Sequence, residues 1–227
     1  MKMKSKKRDT NGNHSPLLKG EGSGVRPRTA LFFGSFNPIH VGHLIIANTI
    51  VQEEGVDELW FVVSPQNPLK ERGTLLADHH RLEMVRRAVD DRYRLRVCDI
   101  EMHLPIPSYT VVTLAALGEK YPDREFCLVM GSDNLLTFNR WRNYQYILDN
   151  YTIYVYPRPG SEDAPLREHP HVRMVDVPMM DISSSYIRKR IAEGKDVRYM
   201  LTEPVYQYLT EMHFYLTPSP LSKSRGE

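Results

Sequence analysis

Cysteine is nearly absent. The 227 residues contain two, Cys98 and Cys127, with no Cys-x-x-Cys spacing. That excludes a disulfide framework and a thiolate zinc site, and it fits a reducing, cytoplasmic setting. An excess of one charge is also missing. Thirty Lys and Arg against 28 Asp and Glu leave a formal net charge of +2, too weak a field to imply a nucleic-acid partner. No apolar run approaches the ~20 residues that span a bilayer, so no membrane partner is expected. The basic start (Lys2, Lys4, Lys6, Lys7, Arg8) leads into polar residues, not the apolar stretch of a signal peptide. There is no Gly-x-Gly-x-x-Gly dinucleotide fingerprint and no long internal repeat. What is present is an ordinary globular composition, 41% hydrophobic and 26% charged, with enough chain for one real core.

Residues 1–27 and 215–227 read as polar tails without periodicity, leaving a single domain over 28–214. Within it, strand-like and helix-like runs alternate. Strands are predicted at 30–33, 59–63, 95–98, 126–130, 152–156 and 172–175. Helices are predicted at 44–51, 79–89, 110–121, 143–150, 183–193 and 204–213. Asp78 is placed to cap the second helix, with Leu82, Val85, Arg86 and Val89 on its inner face. Val111, Leu114 and Leu117 face inward on the third, which Pro122 stops. This alternation predicts an α/β fold: a doubly wound, mostly parallel sheet flanked by helices, with a helical C-terminal end. Ligands in such sheets lie outside the carboxyl ends of the strands.

The most informative segment joins the first strand to the first helix: Gly34-Ser35-Phe36-Asn37-Pro38-Ile39-His40-Val41-Gly42-His43. Helix N-terminal N–H groups at such a turn bind phosphate. Gly34 and Gly42 would clear the backbone for a ligand, and Pro38 would fix the turn. His40 and His43 would offer donors that an adjacent triphosphate tends to keep protonated. A second segment, Asp181-Ile182-Ser183-Ser184-Ser185-Tyr186-Ile187-Arg188, opens a later helix. Its serines can cap the helix or donate to phosphate. Arg188 lies one turn on and shares the face of Ser184 and Ser185.

These two segments resemble the paired signatures of the nucleotidyltransferase superfamily with the His-x-Gly-His motif, which has a Rossmann-like sheet. Position 185 is Ser where Thr is commoner, and the hydroxyl is kept. The segments between them are Ser108-Tyr109-Thr110, Gly131-Ser132-Asp133-Asn134-Leu135, Trp141 with Tyr144, Tyr156-Pro157-Arg158-Pro159-Gly160 and residues 199–209. This series, over residues 28–214, is similar to the bacterial nicotinate-nucleotide adenylyltransferase family. The loop Ser64-Pro65-Gln66-Asn67-Pro68-Leu69-Lys70 departs from the family's Pro-Pro-His-Lys form, with Leu in place of His.

The resemblance implies adenylyl transfer from ATP to nicotinate mononucleotide in NAD synthesis. The phosphate-bearing acceptor attacks the α-phosphorus directly, with Mg²⁺ held mainly by ATP phosphates and no metal cage in the protein. It implies His40, His43, Lys70 and Arg188 as the catalytic cations. ATP would be bound by Gly34, Ser35, Phe36, His40, Gly42, His43, Gly131, Asp133, Ser183, Ser184, Ser185 and Arg188. The acceptor would be bound by Asn67, Lys70, Tyr109, Thr110, Trp141 and Arg158, with Trp141 over the pyridinium ring. Arg81, Arg140 and Arg142 are lesser candidates. Other acceptors (nicotinamide mononucleotide, phosphopantetheine), a non-catalytic nucleotide sensor, a class I aminoacyl-tRNA synthetase fragment and a homo-oligomer all stay open at this point.

Overall fold

Runs of β-branched, aromatic and aliphatic residues form six strands: β1 (Arg28–Gly34), β2 (Glu58–Val63), β3 (Leu95–Cys98), β4 (Glu125–Gly131), β5 (Ile153–Tyr156) and β6 (Val172–Met174). The computed structural model describes residues 26–65, 75–89, 93–161 and 163–216. All six strands lie in one sheet of order 3-2-1-4-5-6, and every neighbouring pair is parallel. Such a sheet is covered on both faces, so its strands are apolar almost throughout. On β1, Ala30 and Phe32 point into one core, shared with α1 (Val41–Glu53), α2 (Asp78–Ala88), α6 (Ser184–Ala192) and α7 (Glu203–Glu211). Leu31 points into the other, shared with α3 (Thr110–Lys120) and α5 (Tyr144–Asn150).

The chain leaves β1 toward β2 and β3 on one side and later returns to place β4, β5 and β6 on the other. Connections therefore diverge above the carboxyl ends of β1 and β4. That opens a crevice, the ligand position of doubly wound sheets. Both Gly34 and Gly131 end strands at its mouth.

Several local expectations change. Ala77, not Asp78, is the N-cap residue of α2, and the Asp78 carboxylate instead meets Arg81 at 2.5 Å. Arg86 is exposed, while Arg81 and Met84 turn inward with Leu82 and Val85. The short α4 (Ser132–Leu135) and the 3-10 turns at Ile100–His103, Phe138–Arg140 and Arg198–Met200 lie where no helix was expected. Tyr215, assigned from sequence to the tail, is packed. His213 (φ 53°) and Tyr215 (φ 62°) both take left-handed backbone, and the Tyr215 hydroxyl donates to Asn37 Oδ1 at 2.6 Å.

Candidate active site

The turn after β1 is built around its own aromatic residue. Phe36 has left-handed backbone (φ 45°) and is 2% exposed. Its ring meets Phe32, Phe61 and His43 edge-on, with centroids 5.8, 5.4 and 5.2 Å away. A Cβ on Gly34 would come within 2.8 Å of that ring, and one on Gly42 within 2.8 Å of Ile182 Cγ2 and 3.1 Å of the His40 ring. The space these two glycines leave is thus filled by the protein's own side chains, not held clear for a ligand as expected. Likewise Phe36 acts as a buried wedge beneath the turn.

His40 is the N-cap residue of α1, and His43 sits in its first turn. His43 Nδ1 accepts the His40 backbone N–H at 3.2 Å. In the neutral ring this assigns the proton to Nε2. The two rings stack with centroids 3.8 Å apart, and His40 is 4% exposed. Its Nδ1 is buried with no hydrogen-bond partner. Burial, and then the charge of Arg158, push His40 down from 6.5 to about 4. His40 is therefore neutral at pH 7 in the free protein, and fixed positive charge comes from arginines and the N-terminus of α1.

A cavity of about 270 Å³ opens beside these rings. Its walls include His40, Gly42, His43, Ile46, Tyr156, Arg158 and the segment 177–182. Arg158 follows β5, with its guanidinium 5.2 Å from the Tyr156 ring centre and its Nε buried and unpartnered. Arg158, expected with the acceptor, thus stands beside the histidines.

The second signature docks directly on the first. Ser183 caps α6 by accepting the Tyr186 N–H at 3.1 Å. Ser184 Oγ donates to the Pro38 carbonyl at 2.9 Å. Arg188 donates through Nη1 to the Asn37 carbonyl at 2.8 Å and through Nη2 to Ser185 Oγ at 3.1 Å, while its Nε is buried without a partner.

Two supports were missed or undervalued in the sequence. Arg81 is fully buried and donates to the carbonyls of Ser35, Ser64, Pro65 and Leu76. It ties the turn after β1 to both described ends of the loop after β2. Only the Asp78-x-x-Arg81 spacing hinted at this. Asn37 Oδ1 accepts from both Leu76 N–H and Tyr215, a junction with no motif to announce it.

On the other face, Tyr109 is the N-cap residue of α3 without a side-chain cap bond, and Thr110 is its first helical residue. Arg142 lies over the Tyr109 ring at 5.0 Å. Trp141 is half-buried against Phe138. None of Tyr109, Thr110 and Trp141 lines the cavity beside the histidines. Asp133 is exposed, and a Cβ on Gly131 would collide with its carboxylate. Asn67 and Lys70 lie outside the described residues.

A family model described as cytidylyltransferase-like matches residues 31–190, which include both signatures. The chain belongs to this family. Within the cytidylyltransferase-like family it is 49% identical over 190 residues to a protein of Flavobacterium johnsoniae named as a probable nicotinate-nucleotide adenylyltransferase. That match covers 83% of this chain and 98% of the relative. A Bacteroides fragilis protein with the same name is 46% identical over 187 residues, covering 82% and 93%. Among solved structures, Plasmodium falciparum nicotinic acid mononucleotide adenylyltransferase complexed with NaAD superposes with a TM-score of 0.70. Identity there is 20%, with coverage of 83% of this chain and 97% of that one, so the likeness is one of fold. In this family member no three His, Cys, Asp or Glu side chains among the described residues are grouped to hold a metal ion. No described helix is long and apolar enough to cross a membrane.

Proposed function

We propose that this chain is a nicotinate-nucleotide adenylyltransferase. The 5′-phosphate oxygen of nicotinate mononucleotide attacks the α-phosphorus of MgATP. The bond from the α-phosphorus to the bridging oxygen breaks, and pyrophosphate leaves with that oxygen and its electron pair. The acceptor phosphate is already an anion at neutral pH, so no general base and no covalent enzyme intermediate are required. The protein aligns two anions and stabilises charge as it develops.

The observation that carries this reading is the docking of the second signature on the first, Ser184 to the Pro38 carbonyl and Arg188 to the Asn37 carbonyl, beside a cavity walled by His40, His43 and Arg158. A multiply charged anion suits a cavity edged by a guanidinium and a helix N-terminus. His43 offers Nε2–H to it, and the free N–H groups at the start of α1 add donors. Arg188, anchored on the signature turn, holds phosphate oxygens, and Ser183 to Ser185 set its helix. Lys70 and Asn67, which lie in sequence between Pro65 and Leu76, serve the phosphates and the acceptor.

The acceptor's pyridine end belongs to the other wall. The first N–H groups of α3, at Thr110 and Val111, suit a carboxylate, and Trp141 suits a flat pyridinium cation. Mg²⁺ arrives with ATP as part of the substrate. The names of relatives nearly half identical over almost their whole length support the acid over the amide. Two free, buried thiols suit a reducing compartment such as the cytoplasm.

The deciding assay follows pyrophosphate release from MgATP with nicotinate mononucleotide, nicotinamide mononucleotide or phosphopantetheine. Release that is fastest with nicotinate mononucleotide is the expected result. Preference for either of the others reassigns the acceptor, and release with none of them rejects the reaction.

A further inference from the structure

The turn after β5 holds a closed ring of hydrogen bonds that the steps above do not use. The Arg158 backbone N–H donates to Ser132 Oγ at 2.7 Å. Ser161 Oγ donates to the Arg158 carbonyl at 2.6 Å, and the two hydroxyl oxygens are 2.6 Å apart. A carbonyl can only accept, so the single proton of Ser161 is committed to Arg158. The proton between the two hydroxyls is therefore that of Ser132. Every bond in the ring then has one direction: Arg158 N–H to Ser132, Ser132 to Ser161, Ser161 to the Arg158 carbonyl. Each hydroxyl donates once and accepts once.

Both serines are almost fully buried, at 3% and 4% exposed. Gly160, at φ 78° after Pro159, supplies the left-handed position that brings Ser161 back onto Arg158. The ring thus fixes the peptide groups on both sides of Arg158. The stem of Arg158 is fixed as well, because it passes over Gly131, where a Cβ would lie 3.1 Å from Arg158 Cγ. β4 and β5 between them therefore set the origin and the direction of a cation that ends beside His40 and His43.

We propose that Ser132 and Ser161 are positioning residues for adenylyl transfer, acting only by holding the Arg158 guanidinium at the histidine cavity. The inference rests on the reading of the cavity as the ATP site. Among the described residues, the hydrogen bonds of these two hydroxyls all lie within this ring, which ends on the backbone of Arg158. A guanidinium misplaced by even an ångström loses much of its effect on a transition state.

The test is a pair of double-mutant cycles on the full chain. Values of kcat and of KM for MgATP and nicotinate mononucleotide are measured for wild type, S132A, S161A, R158A, S132A/R158A and S161A/R158A. Thermal melts of each establish that the protein is folded. Each serine variant is expected to lose about tenfold in kcat/KM, mostly in kcat, and R158A to lose more. In the R158A background the serine substitutions should change nothing further, because their effect runs through a side chain already removed. S161T, which keeps the hydroxyl, should recover most of the rate. The proposal is overturned by serine variants as fast as wild type. It is equally overturned by an R158A enzyme as fast as wild type, or by serine substitutions that slow R158A by the factor they slow wild type. Should S161A fail to fold, the S132A cycle decides alone. A wild-type protein inactive with every acceptor would reject the underlying reaction instead, an outcome distinct from all of these.

Discussion

A neutral histidine that accepts a backbone N–H on one nitrogen carries its proton on the other, and at His43, a wall of the cavity, that nitrogen is Nε2. In the proposed reaction, replacement by alanine removes a transition-state donor. His43→Ala should lower kcat by about a hundredfold or more in the pyrophosphate assay while leaving the melting transition near that of wild type. His40 has a different signature. Its folded-state value near 4 lies below the unfolded 6.5, so the unfolded chain binds the extra proton between those values. The stability tied to neutral His40 is complete above pH 6.5 and is lost as pH falls toward 4. The loss amounts to about 3 kcal/mol at 1.36 kcal/mol per unit. Urea titrations of wild type at pH 7.5 and pH 4.5 should show this loss, and His40→Asn should flatten it. An equal pH slope in the variant would mean that other groups carry it.

At the scale of elements, the strands and long helices were legible because each carries a period or an unbroken apolar run, as in Phe126-Cys127-Leu128-Val129-Met130. The short α4 was not, since four residues show no period. Asp78 misled because a polar residue before a helix resembles a cap, whereas here a buried arginine one turn later claims its carboxylate. The start of α6 rests on the start of α1 through Ser184 and Arg188, and at Gly42 the methyl of Ile182 fills the gap between the two signatures. Gly42→Ala should therefore push these segments apart. We expect it to cost about 1–3 kcal/mol, as overpacking does, and to raise KM for MgATP, measured by chemical denaturation and initial rates. A variant with wild-type stability and KM would show that the Ile182 side chain can move aside.

Across the whole molecule, the candidate cavity lies beside residues that follow the carboxyl ends of strands, as the alternation of elements led one to expect, whereas the strand order itself was not legible. The signatures were legible because they are local in sequence. The relation of Arg158 to His40 was not, nor that of Tyr215 to Asn37, 178 residues apart, because no spacing rule spans such distances. The polar sequence before β1 carries no periodic apolar pattern of the kind that builds a core. Removing residues 1–25 should leave specific activity and melting temperature unchanged. A fall in either would show that the segment contributes to the fold or the site.

The two imidazoles stacked 3.8 Å apart have one further consequence. At neutral pH the inner one is uncharged in the free protein. On the proposed reading the nucleotide docks beside it, its negative charge favours the protonated ring, and the proton gained is drawn from the solution. Heat measured on titrating MgATP into the protein should therefore differ between phosphate and Tris, in proportion to the ionisation enthalpy of each buffer.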